Sequence, residues 1–519
     1  MNRPSRLHQI AGQIRDDYVA LIGSINDQFL SKRLVSRGLS LFHISDCSCK
    51  RTEFFKTYES ICNLLCLKEI VEEYRPDSIF LVGGTKSFFE GLKTVCGKVR
   101  VVPQTVPRKK WEGLRFLVSD IGFVTKVFLV VTITYGLRAR EKTGNWETKT
   151  EKKLFFSIFP KMTDLRGNDR KYGEFIKESD GVAVTILADG LHQKISIRQY
   201  FAKRKWAQAK RFQLIDDHLS IYSCLEMLGW VARLRWKLFL FTARYSFQGI
   251  DVSESLRYEV LFSLRRMARL TGFRRSLEKF LQVNNCSCFN YYLHEYPIGR
   301  VISSVLEKSF PDVWSVGWQH GPVAWRKLVY FMDPNELGRE QQSEQRVPIP
   351  KEIVAEDDNS VEIYEHAGYP NVKKMDRVYR LSYLDQIVPK KKGNLALVVP
   401  GLHDGPQLLR AVTDWDELRQ YERVLFKPHP NGSEDYLDES DDIPNLEVVH
   451  TPINQLLEQV STVIVTYSSV GPEAVKLGLR TVVIDIPGKI NESPLLDEVG
   501  ANSVNSPIAR YIPEPKIAI

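Results

Sequence analysis

The stretch TVIVTYSSVGPEAVKLGLR, residues 462–480, places a strand, a turn and a helix in one short span. Residues 463–465 are consecutive β-branched residues, which is typical of a buried strand. Pro472 and Gly478 bracket a helix, because proline suits the first helical turn and glycine suits the position after the last. The stretch therefore predicts a βα unit whose turn, residues 466–469, lies at the carboxyl end of the strand.

Segments of the same kind surround this unit. Each is a short apolar run followed by a turn that contains proline or glycine, which indicates the strands of a parallel sheet. They are LALVVPGLHDG (395–405), RVLFKPHPNG (423–432), LEVVHTP (446–452) and TVVIDIPG (481–488). Five short strands in succession predict a doubly wound, Rossmann-like domain.

Chain length predicts a second domain of the same class. At 519 residues the chain is too long for a single core. The polar segment QIVPKKKGN, residues 386–394, is a linker candidate. We therefore expect an α/β protein with two Rossmann-like domains, 1–388 and 389–519, facing a cleft, and a helical insertion at about 196–283. The early strands are expected at DSIFLVGG (77–84) and KVRVVPQ (98–104).

Composition describes a globular protein whose partners are anionic. The net charge is +9, and hydrophobic residues make up 43% of the chain. Nucleic acid is not expected as a partner, because the sequence lacks a zinc-finger, helix-turn-helix or RNA-binding signature. The Cys-Ser-Cys pairs at 47–49 and 286–288 lack the spacing of a structural zinc site. We expect reduced thiols, no metal, and a cytoplasmic location, since no signal peptide is evident.

One apolar stretch, residues 114–138, approaches the length of a membrane span. Arg115, Asp120 and Lys126 interrupt it, so we interpret it as a buried or interfacial segment. Basic and aromatic residues recur together at 232–247. These features predict peripheral contact with an anionic membrane, on its inner face.

Lys427 and His429 lie in the turn KPHP, directly after a predicted strand. Pro428 and Pro430 forbid both a helix and a continued strand, so the turn is rigid. Ligands of open α/β sheets bind at the carboxyl ends of strands, and a cation beside an imidazole suits a phosphate. The alternative is a solvent-exposed loop with an incidental basic residue.

Ser468 and Ser469 precede the helix of the first stretch, and Glu473 lies in its first turn. A helix amino terminus offers unpaired N–H groups, and the hydroxyls add donors for phosphate oxygens. The alternative is that one serine only caps the helix. Gly401, in the segment GLHDG (401–405), would let the backbone approach a ligand closely. These residues are further candidates for binding a nucleotide donor.

KPHP followed by a Ser-Ser turn that begins a helix is similar to the carboxyl-terminal domain of GT-B enzymes of surface polysaccharides. These include CDP-glycerol polymerases, bacterial polysialyltransferases and Kdo transferases. GWQHGPVAW (317–325) and HAGYPNVKKMDR (366–377) resemble the Trp-His-Gly-Thr-Pro and Gly-Tyr-Pro segments of the CDP-glycerol enzymes. NESPL (491–495) resembles an Asn-x-Ser-Pro-Leu motif of surface carbohydrate biosynthesis proteins. The resemblance covers roughly residues 285–500 and implies a GT-B-like fold with a nucleotide-activated donor as substrate.

His320 is the catalytic base that the resemblance implies. It follows the predicted strand 314–318, and an imidazole pKa of about 6.5 leaves a neutral base at physiological pH. Glu295, also at a strand end, is expected to orient His320 or to act as the base itself. The alternative is that His320 has only a structural role.

The expected activity is transfer of a sugar or sugar acid from a nucleotide donor to a cell-surface polysaccharide or lipid-linked glycan, inverting and without a metal cofactor. Gly-Pro-Val follows His320 where the CDP-glycerol enzymes have Gly-Thr-Pro, so the donor stays open. A polyol-phosphate transferase of the CDP-glycerol type is one alternative. A non-catalytic scaffold in a polysaccharide assembly complex is another.

Overall fold

The first domain is built on seven parallel strands. The computed structural model describes residues 4–82, 85–103, 118–136 in part, 152–158, 169–186, 202–239 in part, 243–338, 344–389, 394–430, 432–438, 445–498 and 509–512. The strands are β1 (Lys152–Ile158), β2 (Val182–Ile186), β3 (Gln213–Leu214), β4 (Cys286–Tyr292), β5 (Trp314–Trp318), β6 (Glu352–Ala355) and β7 (Val372–Lys374). Their order across the sheet is β7-β6-β5-β4-β1-β2-β3. All their carboxyl ends therefore lie along one edge.

The second domain has a six-stranded sheet. Its strands are β8 (Leu395–Val399), β9 (Arg423–Phe426), β10 (Leu446–Val448), β11 (Thr462–Val465), β12 (Arg480–Ile484) and β13 (Ala509–Ile512). They are ordered β10-β9-β8-β11-β12-β13, and only β13 runs antiparallel. The chain moves outward from β8 to β10 and then returns to β11 on the other side of β8. Ligands bind at such a switch point in open α/β sheets.

Both faces of the second sheet are covered, as a parallel sheet requires. Leu397 and Val399 of β8 pack in one buried cluster, and Ala396 and Val398 pack in another on the opposite face. The five parallel strands predicted from the sequence are confirmed. The chain thus forms two Rossmann-like α/β domains that face a cleft, which is the predicted GT-B-like fold class.

Helices surround the first sheet and begin at the amino terminus of the described chain. They are α1 (Pro4–Ser31), α2 (Thr57–Tyr74), α3 (Lys86–Cys96), α4 (Phe175–Glu178), α5 (Ile221–Phe239), α6 (Ser253–Val283), α7 (Pro297–Ser309), α8 (Pro334–Leu337) and α9 (Asp358–His366). In the second domain they are α10 (Gly405–Thr413), α11 (Ile453–Leu457), α12 (Val470–Lys476) and α13 (Leu495–Glu498). The long helices α5 and α6 pack against each other and form most of the described part of the expected helical insertion.

The early strands lie where the sequence predicts them but outside the large sheet, and the expected helical insertion needs correction. The early strands, Ser78–Leu81 and Arg100–Pro103, form a separate two-stranded parallel sheet. Neither contains a buried residue, and Phe80 is 64% exposed, so they lack the apolar faces of a central strand. The insertion is also not entirely helical, because β3 pairs with β2 at the edge of the large sheet.

The second core begins before the predicted domain boundary at 388. A 3-10 helix, Tyr379–Gln386, follows the last strand of the first sheet. Its Leu381 and Leu384, together with Ile387, pack with the buried residues of the second domain. The segment that joins the domains is therefore an ordered part of the second core up to Ile387, and residues 390–393 lie outside the described part of the chain.

The described residues of the apolar stretch 114–138 are helical. Asp120, which interrupts the stretch, is buried and pairs with Arg235 (3.4 Å) and Arg265 (3.7 Å). Val118 and Phe128 are exposed. Among the helices that the structure describes, none combines the length and apolar character needed to span a bilayer.

Candidate functional site

A cavity of about 720 Å³ lies between the two domains. The first domain supplies the loop before α2, the start of α7 and the turn after β5. The second domain supplies the turns after β8 and β11 and the segment after β12. The charged and imidazole side chains among its lining residues are Arg51, Glu53, Lys56, Glu59, Arg266, Arg269, His320, Lys327, His403, Lys489 and Glu492. The cavity thus lies at the carboxyl ends of strands from both sheets, including the switch point between β8 and β11.

His320 lines the cavity from the first domain, as the sequence predicts. It follows β5, and the preceding Gln319 is buried and accepts a hydrogen bond from the backbone N–H of Glu356 (2.7 Å). The imidazole stacks on Tyr292, with centroids 5.7 Å apart and planes at 20°. Tyr296 contacts the ring edge-on at 6.1 Å. These contacts fix the ring orientation at the wall of the cavity.

The pKa of His320 lies well below its usual value of 6.5. Burial is the main cause, and the charges of Lys171 and Lys327 act in the same direction. The Nδ1 atom is buried and has no hydrogen-bond partner among the described residues. The imidazole is therefore neutral at physiological pH and is available to accept a proton.

Glu295 does not occupy the position expected of an orienting carboxylate. Its side chain is fully buried, lies 3.4 Å from Nδ1 of His294, and is not part of the cavity wall. Leu293, at φ 63°, turns the chain after β4 and itself lines the cavity. This turn directs Leu293 and Tyr296 to the cavity and Glu295 into the interior. The expectation that Glu295 contacts His320 is not met.

Gly401 lies at the end of β8, where the sequence predicts close approach of a ligand. The space that a Cβ atom would fill is taken by Tyr467, whose ring would lie 2.4 Å from it. The Tyr467 hydroxyl accepts a hydrogen bond from the backbone N–H of His403 (3.3 Å). The buried Asp404 accepts a hydrogen bond from the hydroxyl of Thr466. Gly401 therefore allows the turns after β8 and β11 to pack together.

His429 and Gly401 line a second, smaller cavity of about 450 Å³ in the second domain. Leu402 and His403 line both cavities, so the two spaces adjoin at the turn after β8. Burial lowers the pKa of His429, and the nearby imidazole of His403 lowers it further. Lys427 is half-buried, and burial lowers its pKa, but it is outside the walls of both cavities.

Ser468 and Ser469 stand at the carboxyl end of β11. Ser469 is the N-cap residue of α12, yet its side chain makes no capping hydrogen bond. The alternative that this serine only caps the helix is thus not what the structure shows. Both serines lie outside the walls of the two cavities, although Tyr467 beside them lines the larger one. Their role toward a donor stays a prediction.

Glu473, a predicted donor-binding residue, takes part in an ionic network at the domain junction. It accepts a hydrogen bond from the hydroxyl of Tyr383 (2.5 Å) and lies 3.5 Å from Arg380. Arg380 also pairs with Glu356, and Glu356 lies 3.6 Å from Lys171 of the first domain. Burial raises the pKa of Glu473 despite these partners. The carboxylate therefore faces the junction and not either cavity.

Several cavity residues lie outside the sequence motifs. Arg51 forms a hydrogen bond with Glu53 (2.8 Å) and lies over the ring of Phe54 (4.1 Å). Phe54 in turn contacts the ring of His403 across the cleft, with centroids 5.7 Å apart. No motif marks residues 51–54, because their position depends on how the amino-terminal helices pack. The feature of the sequence that could have indicated these residues is Arg51, a basic residue in the loop before α2.

The wall of the larger cavity also contains Lys327, Lys489 and Glu492. Lys327 donates a hydrogen bond to the carbonyl of Pro322 (3.4 Å). Burial lowers the pKa of Lys489 and raises that of Glu492 to about 7. Glu492 belongs to the NESPL motif, which the resemblance singled out without a role.

The segment 485–497 docks the second domain onto the first. Asn63 donates a hydrogen bond to the carbonyl of Gly488 (2.8 Å), and Arg326 donates one to the carbonyl of Asn491 (2.8 Å) and pairs with Asp497 (3.1 Å). Asn491 is buried, and its side chain bonds to the carbonyl of the last residue of β12. The Asn-x-Ser-Pro-Leu motif therefore fixes the domain interface beside the cavity.

In the part of the chain that the structure describes, no group of three or more His, Cys, Asp or Glu side chains has the arrangement of a metal site.

No family model matches the chain, and no curated protein matches its sequence. Among solved structures, a UDP-N-acetylglucosamine 2-epimerase from Rickettsia bellii is similar over 64% of this chain and 78% of that chain, at 9% identity and a TM-score of 0.34. The glycotransferase of kitacinnamycin is similar over 69% and 84%, at 12% identity and a TM-score of 0.35. A variant of the wall teichoic acid polymerase TagF is similar over 71% and 77%, at 10% identity and a TM-score of 0.30. These identities and TM-scores are too low to support an argument about function, so the function is argued from the geometry of the cleft.

Proposed function

We propose that this protein is a glycosyltransferase that moves a sugar or sugar acid from a nucleotide-activated donor to a cell-surface polysaccharide or lipid-linked glycan. One observation carries the proposal. A half-buried, neutral imidazole, His320, lines one wall of a cleft whose opposite wall bears His403 and Lys489. Facing groups of this kind suit a reaction in which a proton leaves one substrate while an anion leaves the other.

The acceptor hydroxyl attacks the anomeric carbon of the donor, and His320 takes its proton. The bond between the anomeric carbon and the phosphate oxygen breaks, and the nucleotide departs with the electron pair. An anionic donor in the cleft would raise the pKa of His320 from its low value in the free protein, because a nearby negative charge stabilises the imidazolium. Binding of the donor thus prepares the base for the proton transfer.

The departing phosphate is met by groups of the second domain. His403 and His429 line the smaller cavity, and Lys489 lines the larger one beside it. Burial lowers the pKa of each of these three groups in the free protein, and a phosphate bound beside them would raise it again, because a nearby negative charge stabilises the protonated form. We propose that these groups, with the two imidazoles protonated once the phosphate is bound, stabilise the leaving group without a metal ion. Lys427, Ser468 and Ser469 adjoin this region along the same sheet edge.

A donor panel tests the proposal. Nucleotide-sugar and nucleotide-polyol compounds with CMP, CDP, UDP and GDP are incubated with the protein and a glycan acceptor, and the released nucleotide is measured. Wild-type protein is expected to release nucleotide from one sugar-linked donor, and His320→Ala to release about 10²–10⁴-fold less. His450→Ala is the matched control, since His450 is exposed and outside both cavities.

The results separate the alternatives. Release from CDP-glycerol alone would identify a polyol-phosphate transferase. Nucleotide binding without turnover, together with full cellular glycan synthesis by a folded His320→Ala variant, would identify a scaffold. Addition of EDTA is expected to leave the rate unchanged, and loss of activity that a divalent cation restores would contradict transfer without a metal.

A further inference from the structure

Helix α5 exposes apolar side chains along one face. Tyr222, Leu225 and Trp236 are 68%, 59% and 70% exposed. Gly229 and Ala232, which lie between them, are also exposed. Positions 222, 225, 229, 232 and 236 succeed one another at intervals of three or four residues, so they share one side of the helix. The buried residues of α5 face α6 instead, which makes this apolar row unusual for a surface helix.

A second apolar row lies on the neighbouring segment 118–129, whose described residues are helical. Ile121, Phe128 and Leu129 are 59%, 58% and 43% exposed. Their positions again repeat at helical intervals, with Thr125 exposed between them. Apolar residues therefore face outward here as well.

Specific contacts hold the two rows beside each other. Asp120 pairs with Arg235 of α5 (3.4 Å), and Phe123 packs against a buried cluster that contains Cys224 and Met227 of α5. We define the apolar surface as Ile121, Phe128, Leu129, Tyr222, Leu225 and Trp236. Contiguous exposed apolar patches on proteins mark sites for membranes or other proteins.

Charge distinguishes between these occupants. Lys126, Arg233 and Lys237 lie on the same two segments. The acidic residues there are matched by cations: Asp120 lies beside Arg235 and Arg265, and Glu226 pairs with Arg275 (3.2 Å). The surface is thus apolar, aromatic and positively charged, a combination that suits anionic lipid. A second copy would bring the same cations against one another, which opposes self-association.

We propose that the apolar surface inserts into the interfacial layer of a bilayer that contains anionic lipid. Trp236 and Tyr222 would lie at the level of the headgroups, where amphipathic rings are favoured. Ile121, Leu225 and Phe128 would enter the acyl boundary, and Lys237 and Arg233 would contact lipid phosphates. This inference does not depend on transfer activity, because it rests on a surface that does not line the cleft.

Flotation with vesicles tests the inference. The full chain is mixed with vesicles of phosphatidylcholine alone or of phosphatidylcholine with phosphatidylglycerol, whose anionic headgroups give the surface a negative potential. Wild-type protein is expected to float with the anionic vesicles, and the fluorescence of Trp236 to shift to the blue. The variant that combines Leu225→Ser with Trp236→Ser is expected to stay in solution. Lys237→Gln should weaken binding about fivefold, as expected for one basic residue at an anionic surface.

Trp314→Ser is the matched control, because Trp314 is also exposed, at 45%, but lies on β5 away from this surface. It is expected to float like the wild type. Equal flotation of wild type and the Leu225→Ser, Trp236→Ser variant would overturn the inference. A dimer in light scattering that the same variant abolishes, with no flotation of the wild type, would overturn it in favour of a protein partner. Unchanged circular dichroism of each variant ensures that lost flotation is not lost folding.

Discussion

The hydroxyl of Thr52 in the first domain donates a hydrogen bond to the carboxylate of Glu492 in the second. Thr52 lies in the loop before α2, and Glu492 lies in the docking segment 485–497. Both residues line the larger cavity, which lies between the two domains. Burial raises the pKa of Glu492 to about 7, because the desolvation outweighs the nearby charge of Lys327. Contact between the two domains thus places in the cavity wall a carboxyl group whose pKa is near neutral.

Replacement of Glu492 by glutamine should stabilise the protein above neutral pH. A carboxyl whose pKa is raised on folding costs stability as pH rises from about 4.5 toward 7, since the folded state holds the proton more tightly. Glu492→Gln is expected to raise the free energy of unfolding at pH 8 by about 1–3 kcal/mol, with no gain at pH 4.5. Urea denaturation at the two pH values measures this. Glu422→Gln, at an exposed position, is the control; equal gains at both pH values would contradict the prediction.

The low pKa of His320 predicts the pH profile of turnover. A base that stays neutral in the free protein causes no loss of kcat/KM until the pH falls below its pKa. We expect the acidic limb of kcat/KM to lie below pH 6.5, because burial and Lys171 lower the pKa of His320. Initial rates from pH 5 to 9 measure the profile. An acidic limb at pH 7 or above would contradict the prediction. If Lys171→Gln abolishes that limb, the titrating group is not the His320 imidazole in its described environment.

Arg380 should be the most sensitive residue of the domain junction. It pairs with two buried carboxylates, Glu356 and Glu473. Arg380→Met leaves both without this partner, so we expect a loss of about 3–5 kcal/mol in the free energy of unfolding. Chemical denaturation measures the loss. Arg377→Met, three residues earlier and exposed, should change stability by less than about 0.5 kcal/mol, and a comparable loss there would contradict the assignment.

A side chain at Gly401 should disturb the turn after β8. A methyl group there would overlap the ring of Tyr467, so Gly401→Ala is expected to cost about 1–3 kcal/mol and to weaken nucleotide binding. Adding Tyr467→Ala should restore part of the stability, which makes the two changes non-additive. Gly12→Ala is the control, because Gly12 lies in α1 with open space around it, and it should stabilise by about 0.5–1 kcal/mol. Thermal denaturation and nucleotide titration measure both effects.

The fold was predictable where local pattern and tertiary role agree. The five parallel strands from β8 to β12 are each a short apolar run before a turn, and all except the edge strand β10 are buried on both faces, so the pattern was sufficient. The strand Ser78–Leu81 has a similar pattern, but local sequence does not reveal which sheet a strand joins. His320 was predictable because it ends a strand at the edge where ligands bind.

The remaining site residues depend on contacts that no local pattern encodes. Glu295 lies at a strand end like His320, yet the left-handed turn at Leu293 directs it inward. Glu473 was predicted beside a donor but is held at the junction by Arg380, which lies 93 residues earlier. Arg51 and Lys327 reach the cavity through packing within the first domain, and Glu492 reaches it through the docking of the second domain onto the first. Such long-range placement explains why the cavity wall could be predicted only in part.

Calorimetric titration of nucleotides into two single variants tests the central claim most directly. The claim is that the second domain holds the donor phosphate while His320, across the cleft, takes the acceptor proton. His429→Ala is expected to lose about tenfold or more in nucleotide affinity, as removal of a hydrogen-bond partner of a charged phosphate does. His320→Ala is expected to bind the nucleotide like the wild type and to lose turnover. Wild-type nucleotide affinity in His429→Ala, or wild-type turnover in His320→Ala, would contradict the claim.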